Sequence, residues 1–175
     1  DGGIFAAPSN NKIAFYRMDE SMVTDYPIID WASTPAKNLN IKYPMAGAVS
    51  DKVTLGVYDV NSQKKTFLDI EGGKEQYLTA ITWSPDSKYI FVGVLSRDQN
   101  HLKMNQYDAV TGNLIKTLFE ETSDKYVEPQ HPLLFFLNSN TDFIWQSQRT
   151  GYNHLFHYSL EKGLVAQITK GDWLV

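Results

Sequence analysis

The chain has 175 residues, about one domain's worth, and its 42% apolar and 21% charged composition is that of a packed core rather than a disordered segment. It contains no cysteine, which excludes a disulfide framework, a thiolate metal site and a cysteine nucleophile. A net charge of −4 with scattered Lys and Arg argues against nucleic acid as a partner, and the longest purely apolar run, Leu133 to Leu137, is far too short to span a bilayer.

Aromatics make up 13% of the chain, and short runs rich in Val, Ile and Thr predict an all-β fold. In chain order, a loop-like Asp1-Gly2-Gly3 precedes the polar turn Pro8-Ser-Asn-Asn-Lys12, which runs into a strand at Ile13-Ala-Phe15. After the acidic Asp19-Glu20 comes a segment with Tyr26-Pro27, Thr34-Pro35, Tyr43-Pro44 and the alternating Asn38-Leu-Asn-Ile-Lys-Tyr43. A strand at Val53 to Tyr58 follows, then a turn at Asp59, a strand at Thr66-Phe-Leu-Asp69 and the polar connector Glu71-Gly-Gly-Lys74. The cycle repeats: a strand at Leu78 to Trp83, a turn at Pro85-Asp-Ser-Lys88, strands from Ile90 and from Lys103 to Tyr107, a turn at Asp108, and a strand at Leu114 to Phe119. The last cycle has a turn at Asn138 to Asp142, strands from Phe143 and Leu155, a turn at Ser159 and a strand at Leu164 to Thr169. The pattern then predicts a new strand at Trp173-Leu-Val175.

Two landmarks share one period. Tyr58, Tyr107 and Tyr158 are 49 and 51 residues apart, and Ile90 to Phe143 is 53, the spacing that also separates the two Asn-His-Leu triplets at 100–102 and 153–155. A unit of about 50 residues with four strands is the signature of a propeller blade. The units run from about 8 to 70, 77 to 122 and 133 to 170, too few to close a ring, so an open arc is expected. Asp59 and Asp108 are placed to accept backbone N–H bonds at turn starts, and Gly112 and Gly163 stand where a positive φ is needed, a position held by Gln63 in the first unit. Burial between sheets is expected for Ile13, Phe15, Val57, Trp83, Ile90, Val92, Phe143 and Trp145.

The first unit departs from the pattern, because Ile13 to Tyr58 spans 45 residues where the others span 17 and 15. The insert, residues 21–50, reads as an extended hairpin arm, with Tyr26, Trp31, Leu39, Ile41 and Tyr43 as its exposed contact residues.

Autonomous chemistry is absent from the sequence. Among the four histidines, His101 and His154 occupy equivalent places in two units, so the repeat itself explains them. His154 and His157 should face opposite sides of one strand, and no metal site or cofactor is expected. There is no Gly-x-Ser-x-Gly elbow and no phosphate-cradling loop, and Asp19 and Glu20 point apart on a strand. No catalytic residue is assigned.

Several motifs are more specific. Lys12-Ile-Ala-Phe-Tyr-Arg-Met-Asp-Glu-Ser21, Tyr43-Pro-Met-Ala-Gly-Ala-Val49, Leu55-Gly-Val-Tyr-Asp59, Trp83-Ser-Pro-Asp86, Ser96-Arg-Asp-Gln-Asn100, Arg149-Thr-Gly-Tyr152 and Thr169-Lys-Gly-Asp-Trp173 occur in this order. Together they resemble the propeller region of the dipeptidyl peptidase IV family of prolyl oligopeptidase-type serine peptidases. The resemblance implies an eight-bladed propeller over a C-terminal α/β-hydrolase domain that carries the Ser-Asp-His triad. It also implies release of N-terminal dipeptides with proline or alanine in second place. The family's amino-terminus-binding glutamate pair aligns before Asp1 and is not transferred to Asp19 and Glu20. A cleft-lining loop matches residues 123–132, making Tyr126, Glu128, Gln130 and His131 candidate substrate contacts, although the family's Phe-Arg pair is not evident there. The insert corresponds to the arm through which family members form homodimers. The lack of cysteine fits a bacterial, exported parent, periplasmic or at the cell surface. The expected function is thus a non-catalytic propeller segment, inactive alone, of a serine exopeptidase acting on peptide substrates. A free-standing propeller scaffold would share the repeats but has no reason to carry the arm. The period argues against a carbohydrate-binding β-sandwich.

Overall fold

The computed structural model describes residues 3–72 and 75–175, so Asp1-Gly2 and the Gly73-Lys74 part of the first connector lie outside the described residues. Among these there is no helix, and the strands in chain order are β1 (Ile4–Ala6), β2 (Lys12–Asp19), β3 (Asp25–Asp30), β4 (Lys37–Lys42), β5 (Lys52–Asp59), β6 (Lys65–Phe67), β7 (Gln76–Trp83), β8 (Tyr89–Ser96), β9 (His101–Asp108), β10 (Leu114–Thr122), β11 (Leu134–Phe135), β12 (Asp142–Ser147), β13 (His154–Ser159) and β14 (Gly163–Gln167). They form three four-stranded antiparallel meanders, β1-β2-β5-β6, β7-β8-β9-β10 and β11-β12-β13-β14, and a separate two-stranded sheet of β3 and β4. These are the blades of a partial propeller with no closed barrel.

The middle blade shows why the sheets stack. Its strand β8 is apolar at almost every position because both of its faces are covered, and successive side chains point to opposite faces. Ile90, Val92 and Val94 pack with Leu55, Val57, Trp83 and Tyr107 between the first and second blades. Phe91 and Leu95 turn the other way and pack with Leu102, Met104, Phe143, Trp145 and Phe156 between the second and third. The outer blades alternate instead. In β12, Phe143, Trp145 and Ser147 are buried while Asp142, Ile144 and Gln146 are half-buried.

Strand β2 corrects one expectation. Ala14 is the buried residue and Tyr16 packs against the same core, whereas Ile13 and Phe15 are only half-buried. Their face of the first blade is covered by no sheet among the described residues. Phe15 lies over Gly56 and beside Phe67 (ring centroids 6.0 Å apart, near perpendicular), and the Arg17 guanidinium lies 4.1 Å from the Phe67 ring centre.

Polar bonds tie the blades where apolar contact ends. Trp83 Nε1 donates to Phe5 O (2.9 Å), the Tyr16 hydroxyl to Leu78 O (2.8 Å), and Asp69 N to Gly112 O (2.8 Å). The last bond needs the glycine. Gly112 sits at φ 80°, and a Cβ there would lie 2.4 Å from Phe67 O. The same hairpin position is filled by Gly163 at φ 73° and by Gln63 at φ 57°, so the first blade accepts a strained residue where the others use glycine. Asp59 Oδ1 accepts Ser62 N (2.8 Å) and Asp108 Oδ1 accepts Thr111 N (2.8 Å), the turn-opening role expected of them. Residues 173–175 form no strand; Val175 N donates to Asn153 O (3.0 Å).

Meander topology sorts the connections into two ends. The β2–β5, β8–β9 and β12–β13 links share one end with the blade-to-blade connectors, and the arm and the 123–132 loop both stand there.

Burial at the blade interface pushes the Tyr16 phenol up to about 12, and raises Tyr107 and Tyr158 for the same reason. Unfolded tyrosines ionise near pH 10, so above that the folded state holds more protons. This stabilisation is complete below about pH 10 and is lost as pH rises toward about 12. Denaturant midpoints should fall across that window. Tyr16→Phe should shrink the fall while costing about 1 kcal/mol at neutral pH through the lost bond to Leu78. A midpoint unchanged through pH 11 would contradict this.

Candidate functional site

The 123–132 loop is pinned at three points. Val127 is buried in the second core, its N–H donates to Gln99 O (2.6 Å), and Ser123 N donates to Asn100 O (3.0 Å). At the far end Leu133 N donates to Thr82 Oγ1 (3.0 Å). With Val127 turned inward, its neighbours Tyr126 and Glu128 must face out, and both line a cleft of about 320 Å³ whose other wall is the β12–β13 turn with Trp145, Gln148 and Arg149. Tyr126 is 56% exposed. Gln130 and His131 are also exposed but do not line this cleft, so the structure brings two of the four candidate residues together.

The opposite wall is built on a pair that sequence reasoning did not single out. Glu121, near the end of β10, accepts Trp145 Nε1 (2.7 Å) and pairs with the Arg149 guanidinium. Arg149 also donates to the Tyr158 hydroxyl (2.6 Å) and to Ser147 Oγ (3.1 Å), and its guanidinium lies 4.6 Å from the Phe156 ring centre. The side chain of Glu121 is 9% exposed and that of Arg149 26%, so the pair is largely withdrawn from water. It locks the β12–β13 turn against the middle blade and leaves this wall near neutral. On the facing wall Glu128 is in no ion pair among the described residues, so its carboxylate offers an acceptor to a cation or an N–H.

Three of the four histidines and Asp19 are occupied structurally. His154 is buried, with Nδ1 3.1 Å from Thr169 Oγ1 and Nε2 2.9 Å from Gly171 O. His157, on the opposite face of β13, pairs with Asp142 (2.9 Å), and the Thr141 hydroxyl and this imidazole together lower the Asp142 carboxyl below its usual range. His101 meets Glu120 at 2.6 Å. Asp19 Oδ1 accepts Ser21 N (2.9 Å) at the root of the arm, a turn role that lowers its carboxyl. Among the described residues no three His, Asp or Glu side chains converge on a metal-sized space.

The arm is a hairpin of β3 and β4 whose strands, among the described residues, pair only with each other. Cross-strand register places Tyr26 opposite Ile41 and Ile28 opposite Leu39, so these four share one face, and Tyr43 continues it with its ring 5.7 Å from that of Tyr26. The other face is mixed, carrying Pro27 and the exposed Ile29 together with Asn38, Asn40 and the Lys42–Asp25 pair (3.0 Å). Trp31 stands beyond the stripe, in the turn at the tip. Ile28 was not singled out in the sequence, although its alternation with Tyr26 carries the signal.

The buried pair on the cleft wall makes a stability prediction. Arg149→Ala should cost about 2–3 kcal/mol, since it leaves the Glu121 carboxylate buried against Trp145 alone. Arg149→Met combined with Glu121→Gln should cost clearly less than the sum of the two single changes in a denaturation double-mutant cycle. Additive losses would show that the two groups do not depend on each other.

Comparison with known proteins agrees with this architecture. The family model described as the dipeptidyl peptidase IV N-terminal region matches residues 2–175. A protein of Phaeosphaeria nodorum named dipeptidyl-aminopeptidase B is 30% identical over 93% of this chain and 21% of its own length, and its namesake from Pyrenophora tritici-repentis is 28% identical over the same shares. A Bacteroides ovatus crystal structure bearing the name dipeptidyl aminopeptidase IV superposes with a TM-score of 0.93 at 42% identity, covering 99% of this chain and 27% of that one. Porphyromonas gingivalis dipeptidyl peptidase 4, 24% identical, shares the fold with a TM-score of 0.86 over 98% of this chain and 24% of its own. The chain thus spans about a fifth of the length of the curated relatives it matches. With three stacked blades, the arm on the first and a family match over residues 2–175, the chain belongs to the dipeptidyl peptidase IV N-terminal-region family.

Proposed function

We propose that this chain is the non-catalytic propeller segment of a serine exopeptidase that releases X-Pro and X-Ala dipeptides from peptide amino termini. Its tasks are to wall the path to a catalytic centre on a C-terminal hydrolase domain and to hold two subunits together through the arm. The observation that carries the reading is the position of the cleft and the arm at one end of the blades, in a chain whose family is that of dipeptidyl peptidases. The relatives named above are dipeptidyl-aminopeptidases by name.

In this reading the loop acts by position. Glu128 accepts N–H groups of a peptide lying in the cleft, and the Tyr126 ring supplies a flat contact that costs little side-chain entropy. The Glu121–Arg149 lock keeps the facing turn from moving when the peptide binds. Nucleophile, base and oxyanion donors come from elsewhere in the parent, because no residue in the cleft combines a free hydroxyl with a base. The arm offers its stripe of Tyr26, Ile28, Leu39, Ile41 and Tyr43 to the same stripe of a second copy, an isologous contact that removes the exposed apolar face from water.

Two outcomes are expected of the intact parent. Tyr126→Ala and Glu128→Ala should each lower kcat/KM about 3- to 10-fold on substrates extended beyond the cleaved bond. Gln130→Ala and His131→Ala should stay near wild type, whereas four indistinguishable variants would demote the loop to ordinary surface. Deleting residues 21–50 should turn a dimer into a monomer by light scattering, and an unchanged dimer would remove the arm from the interface. The 175-residue chain alone should show no turnover of a Gly-Pro amide; measurable turnover would overturn the non-catalytic assignment.

A further inference from the structure

The tip and the root of the arm carry complementary features that its flat apolar face leaves unused. At the tip Trp31 is 79% exposed, in a turn closed by Ala32 N donating to Asp30 Oδ1 (2.9 Å) and Ser33 Oγ donating to Asp30 O (3.2 Å). At the root, where β2 leaves for the arm and β5 returns from it, a groove of about 280 Å³ opens between the first and second blades. Met18, Val53 and Leu78 are among its apolar lining, with Tyr16, Tyr77 and Arg97 around them. Met18 is 53% exposed, an unusual state for a methionine on the same face of β2 as the core residues Ala14 and Tyr16. Arg97 donates to the Tyr77 hydroxyl (2.9 Å), and its guanidinium lies 5.4 Å from that ring's centre, so a cationic plane is held at the groove's edge.

We propose that this groove receives Trp31 from the arm of a second copy of the chain, an inference that rests on the arm-mediated pairing above. The fit is chemical and geometric. An indole lays a large rigid surface on the apolar side of this groove, whose rim also carries Asp51 and Glu75, and gains further from the guanidinium plane beside it. Each strand of the arm has six residues, which is about 20 Å at the usual rise. A stiff hairpin of that length keeps its own tip away from its own root. When two such arms lie side by side across a two-fold axis perpendicular to their length, they run antiparallel and the tip of each arrives at the root of the other. Both grooves are then filled, and register as well as attachment is fixed.

Cross-linking tests this in the intact parent, in which these 175 residues contribute no cysteine to compete and the joined peptides identify the link. Trp31→Cys combined with Met18→Cys should give, on mild oxidation, a subunit-to-subunit disulfide between residues 31 and 18, identified by mass spectrometry of the joined peptides. Trp31→Cys alone should give none. Separately, Trp31→Ala should weaken the dimer by about thirtyfold or more. A Trp31→Cys protein that links to itself would place the tips together at the axis and overturn the proposal. So would a dimer that loses the arm-deleted form's monomerisation contrast only through the stripe: arm deletion gives monomer, yet Trp31→Ala dimerises with unchanged affinity and no 31–18 link forms. If arm deletion leaves the dimer intact, the arm reading fails and this inference falls with it.

Discussion

Burial of β8 on both faces is the constraint on which the rest of the structure depends. A strand that alternates Ile90, Val92 and Val94 with Phe91 and Leu95 has no polar side to give to water, so a sheet must lie against each of its faces. Those two sheets are the flanking blades, and stacking them is what turns three local meanders into an arc. The polar bonds between blades follow from the same arrangement. Trp83 reaches Phe5 O and Tyr16 reaches Leu78 O because large side chains at the rim of a stacked pair must bury their bodies and still satisfy one donor.

Stacking also decides where recognition can occur. Strand edges and faces near the middle blade are consumed by packing, so variable chemistry is confined to the connections at the ends of the blades. At the end bearing the blade-to-blade connectors, one hairpin link has grown into the arm and one connector into the cleft wall. The cleft is firm because its two walls are anchored by different means. Val127 holds one through the apolar core, and the withdrawn Glu121–Arg149 pair holds the other. The arm is the reverse case, a hairpin whose strands pair only with each other among the described residues and whose stripe of Tyr26, Ile28, Leu39 and Ile41 stays exposed.

Much of the fold was legible in the sequence because hairpin turns demand particular residues. Asp59, Asp108, Gly112 and Gly163 mark turns by mechanism, and the repeated Tyr and Ile positions mark the strands those turns connect. The half-burial of Ile13 and Phe15 was not legible, since alternation tells which residues share a face but not which face finds a partner. The candidate site was readable only in part. Tyr126 and Glu128, which flank the inward-turned Val127, line the cleft while Gln130 and His131 farther along the loop do not, and no local pattern announces that inward turn. Glu121 and Arg149 lie 28 residues apart on different blades, and only tertiary packing brings them together.

Native-state amide hydrogen exchange tests the stacking claim most directly. If two-sided burial of the middle blade organises the arc, the amides of β8 exchange slowest in the chain, those of β2, β9 and β12 follow, and the arm strands β3 and β4 exchange fastest of all the hairpins in the monomer. Exchange in β8 as fast as in the arm, or an outer blade more protected than the middle one, would contradict it.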